Sequence, residues 1–99
     1  MNTLKRSDEF DVWLTSLKDG QGRARILRRL ANAQSGNFGD CEPVGEGVSE
    51  MRVHTGPGYW VYFTRRGETI YLLLCGGDKS TQKRDIDRAR QIARQIKEE

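Results

Sequence analysis

The chain has 99 residues, enough for one domain with one modest core. Its 35% hydrophobic and 31% charged residues describe a soluble globular protein rather than a disordered one, and no apolar run approaches the roughly 20 residues needed to span a bilayer. A net charge of +3 is a weak signal, so the placing of the charges matters more than their sum.

The N-terminal stretch "MNTLKRSDEF" lacks the apolar centre of a secretory signal, and the expected compartment is the cytoplasm. A short first strand is expected at Thr3 to Lys5. Ser7 then caps a helix, with Asp8 and Glu9 favourable in its first turn. Phe10, Trp13, Leu14 and Leu17 recur at helical spacing, and "DGQG" ends the pattern. A second helix is expected from Gln21 to about Gln34. Leu27, Leu30 and Ala31 form the centre of its buried stripe, flanked by Ala24 and Ile26, and "SGN" closes it. The short connection implies an antiparallel helix hairpin.

From Asn37 the pattern changes. Glycines punctuate short β-branched or aromatic segments, as hairpins require. In "GPGYWVYF", Tyr59, Val61 and Phe63 alternate with Trp60, Tyr62 and Thr64, a strand with large side chains on both faces. A three-residue loop at Thr55-Gly56-Pro57 pairs Val53 with Tyr59 and Met51 with Val61, keeping the apolar set on one face. A two-residue turn at Arg66-Gly67, with glycine at positive φ, pairs Phe63 with Ile70, Val61 with Leu72 and Tyr59 with Leu74. The last helix is expected from Ser80 to Lys97, capped by Ser80 or Asp78, with Ile86, Ala89, Ala93 and Ile96 as its stripe. A helix pair, a meandering sheet and a closing helix make one α+β domain over residues 1–99.

These registers place Glu50, Arg52, His54, Trp60, Tyr62, Tyr71 and Leu73 together on the face opposite the core: a site, or a covered interface. Arg52 is a natural phosphate ligand, because guanidinium matches phosphate with two donors, or else a cross-strand ion-pair partner of Glu50. His54 can serve as general acid or base near neutral pH, though a lone surface histidine commonly has no role. Tyr62 and Tyr71 can stack on bases or donate a proton, or simply brace the sheet. In "CGGDKST" two glycines allow close approach of a ligand, and Lys79 and Ser80 stand at a helix start, where N–H groups favour anions. The spacing is not that of a P-loop, and the alternative is a capped strand-to-helix turn. Two basic runs remain, Arg23, Arg25, Arg28 and Arg29, and Lys79, Lys83, Arg84, Arg88, Arg90 and Arg94. Each is either a phosphate-binding surface or a solvated helix face. The two cysteines, Cys41 and Cys75, lack ligand spacing and with one histidine make no metal site, so both are expected as free thiols.

The segments "EFDVWLTSLKD", "RARILRRL", "SGNFGDCEPVGEGVSEMRVHTGPGYWVYF" and "LLLCGGDKSTQKRDIDRA" resemble the addiction-module killer branch of the RelE/ParE superfamily, toxins of type II toxin–antitoxin systems related to HigB and RelE. The likeness runs through nearly the whole chain in order. It implies two N-terminal helices against an antiparallel sheet with a closing helix. It also implies an endoribonuclease that cuts messenger RNA, often on the translating ribosome, and needs no metal or other cofactor. The ribose 2′-hydroxyl attacks the adjacent phosphate, which requires a base, cations for the developing charge and an acid for the leaving oxygen. The implied partner is a helix-turn-helix antitoxin that blocks the toxin and, through its own DNA contacts, represses the operon. Arg52 and Lys79 match basic positions of the family, and Tyr59 and Tyr62 its "GY-x-VY" aromatics. Tyr59, Tyr71, Arg65 and Lys83 are expected beside them on the RNA.

One position departs from the resemblance. The family pattern is "GYRVYF", and here Trp60 stands where its phosphate-facing arginine would be. An indole can stack on a base, worth roughly 1–3 kcal/mol, but it cannot neutralise phosphate. Loss of one transition-state donor costs about 10²–10³ in rate, so a weakened or inactive ribonuclease is expected. The alternatives are a ParE-like gyrase binder and a module that only binds antitoxin.

Overall fold

Ser7 joins the first strand to the first helix in the computed structural model, which describes residues 1–98. Its hydroxyl accepts the Phe10 N–H (3.0 Å) and donates to the Leu74 carbonyl (2.7 Å), so one side chain caps the helix and ties it to a strand far along the chain. The elements are β1 (Thr3–Arg6), α1 (Asp8–Ser16), α2 (Gly20–Gln34), β2 (Cys41–Gly45), β3 (Val48–Val53), β4 (Tyr59–Arg65) and β5 (Ile70–Asp78). After a 3₁₀ turn at Lys79–Thr81 the chain ends in α3 (Gln82–Glu98). Asp78 caps that turn, accepting the Ser80 N–H at 2.9 Å. The strands form one mixed sheet in the order β1-β5-β4-β3-β2, with β1 parallel to β5 and the other neighbours antiparallel. The fold is α+β.

Both faces of this sheet are covered. On one side Phe10 and Leu14 of α1 and Ile26, Leu30 and Ala33 of α2 pack on Met51, Val53, Tyr59, Val61, Phe63 and Leu73. On the other, Ala89 and Ala93 of α3 pack on Val48, Tyr62, Leu74 and Cys75. Fully burying a large apolar side chain contributes about 1.5–3 kcal/mol, so the second layer is a real core and not an ornament of the first. The face read as a site or a covered interface is therefore the seat of α3. The stripe of α2 also differs from expectation: Gly22, Ile26, Leu30 and Ala33 are buried, whereas Ala24, Leu27 and Ala31 are exposed. The helix is rotated so that Gly22 meets the ring of Tyr59.

The β3–β4 register matches expectation, with Val53 opposite Tyr59 and Met51 opposite Val61. The β4–β5 register does not. Residues 66–69 connect the strands, Arg66 N–H donates to the Ile70 carbonyl, and Gly67 does not take positive φ. Phe63 pairs with Leu73, and a bulge then sets Tyr62 opposite Cys75. The extra residue, Leu74, sends both itself and Cys75 toward α3, while Tyr71 and Leu73 turn to the α1–α2 side.

The two glycines of "CGGD" stand at the waist of β5. A Cβ at Gly76 would overlap the indole of Trp13 from α1, and one at Gly77 would overlap the carboxylate of Asp85 from α3. The strand is thin there because a helix presses on it from each side.

Candidate functional site

Where α3 begins, it leaves the end of the sheet uncovered, and there a cleft of ≈ 620 Å³ opens. Arg52 of β3, Trp60 of β4, Lys79 of the 3₁₀ turn, Gln82 of α3 and His54 in the β3–β4 loop line it. Arg52 and Trp60 are cross-strand partners, which sets guanidinium and indole side by side.

The charges in the cleft are mostly balanced. Arg52 Nη2 lies 2.8 Å from Glu42 Oε2, and its Nε lies 3.5 Å from Glu50 Oε1. Glu50 is only 3% exposed, and its other oxygen accepts a hydrogen bond from Gln82 Nε2 at 3.2 Å. Burying a carboxyl group without such partners is costly. His54 Nε2 lies 2.7 Å from Asp40 Oδ2, and this bond leads the influences that hold the Asp40 carboxyl below its ordinary value. Asp40 is held in place because its carbonyl accepts the Arg52 N–H at 2.9 Å. Lys79 is exposed and makes no ion pair among the described residues. It is the cation of the cleft without an ion-pair partner among the described residues, since the adjacent Asp78 carboxylate is bonded to Ser80.

Arg52, His54, Trp60 and Lys79 thus come together, and the remaining expected site residues do not. Tyr62 is fully buried beneath α3. Its hydroxyl has no hydrogen-bond partner among the described residues, and burial followed by the Glu50 charge pushes its pKa up. It cannot touch RNA or release a proton to it in this fold. Tyr59 points to the opposite face, where its hydroxyl donates to Asp19 Oδ2 at 2.8 Å and so supports the N-cap of α2. Tyr71 lies on that same face against Phe38, ring centroids 4.8 Å apart, because the longer connection sets Phe63 opposite Leu73 instead of Ile70 and so changes its side. Arg65 sits five residues from Trp60, about 17 Å along β4, with its guanidinium donating to the carbonyls of Gly67 and Glu68. Lys83 is exposed on the first turn of α3, in a separate depression with Ser80, Thr81 and Arg84. The glycines of "CGGD" accommodate Trp13 and Asp85 rather than a ligand.

Both cysteines are free thiols, as expected. Cys75 is buried against Asp85, and burial pushes its pKa up to about 12, while burial also raises that of Cys41. Neither is primed as a nucleophile.

No protein-family model matches the chain. An uncharacterized protein of Haemophilus influenzae is 42% identical over 93 residues, which is 94% of each chain. This chain belongs to the same family as that protein. The relative carries no assigned activity, so the chemistry has to come from the residues themselves. One of those was missed in the sequence: Gln82 enters the cleft from the first residue of α3. Glu50 was expected beside Arg52 as an ion-pair partner, and the structure adds its burial. Gln82 carried a legible signal, since it follows directly on the "GGDKST" turn. Among the described residues, no helix is long and apolar enough to cross a membrane.

Proposed function

We propose that the chain is a RelE-like toxin of a type II toxin–antitoxin module, acting in the cytoplasm as a messenger RNA endoribonuclease of low activity. The observation that carries this reading is the convergence of Arg52, His54, Trp60 and Lys79 on one cleft from separate elements. Lys79 supplies the free positive charge for a phosphate. His54, oriented by Asp40, is the accessible acid–base group of the cleft. Trp60 offers a stacking surface for a base. Arg52, committed to Glu42 and Glu50, positions the wall of the cleft more than it neutralises substrate.

The same pairing favours weak catalysis. A guanidinium already shared by two carboxylates gives up part of those contacts before it can serve a phosphorane, and the neighbouring position holds an indole. The partners that fit this reading are messenger RNA, probed on ribosomes as well as free, and a helix-turn-helix antitoxin that silences the toxin and carries it to operator DNA.

The test is induction of this chain and of its Trp60→Arg variant, with growth and transcript cleavage followed together. The variant is expected to cut about 10²–10³ faster. Equal cleavage by both would assign catalysis to Lys79 and His54 and remove Trp60 from the argument. Cleavage by neither, with the fold intact, would overturn the ribonuclease reading in favour of gyrase or antitoxin binding alone.

A further inference from the structure

The two basic runs of the sequence have different fates in the fold. On α3 the cations are interleaved with acids, and three of the six are paired: Arg88 with Glu9 at 2.7 Å, Arg90 with Asp87 at 3.9 Å and Arg94 with Glu46 at 2.5 Å. Helix α2 carries four arginines and no acidic residue. Two of those are used internally. Arg23 donates to the Leu17 carbonyl, and Arg29 donates to the carbonyls of Phe38 and Arg52. The other two, Arg25 and Arg28, are exposed and have neither an ion pair nor a side-chain hydrogen bond among the described residues. Like charges three or four residues apart on a helix repel, so Arg25, Arg28 and Arg29 together burden α2 unless an anion relieves them.

The surface beside these arginines runs into the cleft. Thr55 lines the cleft and also a depression walled by Arg25 and Arg28. His54 lines the cleft and also a groove walled by Arg25, Arg28 and Arg29. The β3–β4 loop is therefore shared ground between the cleft and the outer face of α2. Two carboxylates border this ground, and both are engaged: Asp40 by His54, and Asp19, which lies against Gly56, by the Tyr59 hydroxyl and the Gly22 N–H.

We infer that single-stranded RNA entering the cleft continues over the His54–Thr55 loop onto Arg25 and Arg28, which hold successive phosphates outside the cleft. The inference rests on the reading of the cleft as an RNA site and adds a second, sequence-independent contact region to it. Arginine suits the task, since it stays charged and grips phosphate with two donors. The consequence is a length dependence: a short oligonucleotide that fills only the cleft ignores Arg25 and Arg28, whereas a longer one senses them.

Binding is measured by fluorescence anisotropy across a salt series, using a 2′-O-methyl RNA 12-mer, which lacks the attacking hydroxyl, and a trinucleotide of the same chemistry. Arg25→Ala/Arg28→Ala is compared with the wild-type chain and with Lys5→Ala/Arg66→Ala, which removes the same charge elsewhere. Each phosphate contact to a single strand contributes about 0.7 to the slope of log affinity against log salt, so the double arginine variant is expected to flatten the 12-mer slope by about 1.4. Trinucleotide binding and the slope of the Lys5→Ala/Arg66→Ala control stay as in wild type. An unchanged 12-mer slope in the arginine variant, while Lys79→Ala weakens both oligonucleotides, would sink the α2 contact and leave the cleft standing. Equal flattening by the control would reduce the effect to net charge and overturn the inference. Failure of the wild-type chain to bind either oligonucleotide would overturn the cleft reading along with it.

Discussion

Glu50, Tyr62 and Asp19 are three side chains whose surroundings set behaviour their residue types alone do not reveal. Glu50 was legible as a member of a sheet face but not as a buried charge, because burial came from α3, whose seat no local pattern specifies. Tyr62 was legible as an aromatic and misjudged as an accessible one for the same reason. An unsatisfied buried hydroxyl costs about 1–3 kcal/mol, so Tyr62→Phe is expected to raise the unfolding free energy by about 1 kcal/mol in urea titrations and, on the proposed ribonuclease reading, to leave RNA cleavage unaltered. A loss of cleavage would return the hydroxyl to the chemistry. Asp19 accepts the Gly22 N–H at 3.0 Å and the Tyr59 hydroxyl, and these bonds hold its carboxyl below the ordinary value of 3.8. A group with a depressed folded pKa stabilises the fold above its unfolded value, and that stability is lost as pH falls through the folded one. Thermal melts of Asp19→Asn should therefore show a lower Tm than wild type at pH 7 and a smaller further drop between pH 4 and pH 2.

Among the elements, β5 separates what the sequence announces from what it conceals. The β3–β4 hairpin could be registered from alternation alone, since one slip would split Met51, Val53, Tyr59 and Val61 between faces. The β4–β5 hairpin could not, because Gly67 advertises a tight turn it does not make and a bulge at Leu74 leaves no mark in composition. The glycine pair was legible as a point of close approach, but the approaching groups are distant in sequence. Gly77→Ala is expected to cost about 1–3 kcal/mol through overlap with Asp85. Pairing it with Asp85→Ala should recover part of that loss in a double-mutant cycle. Strict additivity in chemical denaturation would show that the overlap is relieved by another route.

For the molecule as a whole, the order of helices and strands predicted the α+β class, while the presence of two cores on one sheet was not foreseen. A pattern of apolar residues marks which positions are buried, not which helix buries them, and Tyr62 was placed among the site residues for want of that distinction. The sheet also depends on its first strand. Removing residues 1–6 would strip β5 of the partner on one side and expose its edge, a template for pairing between chains. Light scattering and thermal melts should then show association and a lower Tm, whereas a monomeric truncation with unchanged Tm would count against any such role for β1.

The parallel pairing of β1 with β5 joins residues 67 positions apart, from Thr3 with Ile70 onward, and Ser7 reaches Leu74 across the same gap. β1 must therefore wait for β5 to be made before it can pair. Lys79 and Gln82, two walls of the cleft, come later still. A nascent chain can form its α1–α2 helices early, but loop closure over such a span delays the finished sheet until β5 has been made. Until Lys79 and Gln82 have been made the polypeptide has no assembled cleft, so on the proposed ribonuclease reading the nascent chain cannot yet attack its message.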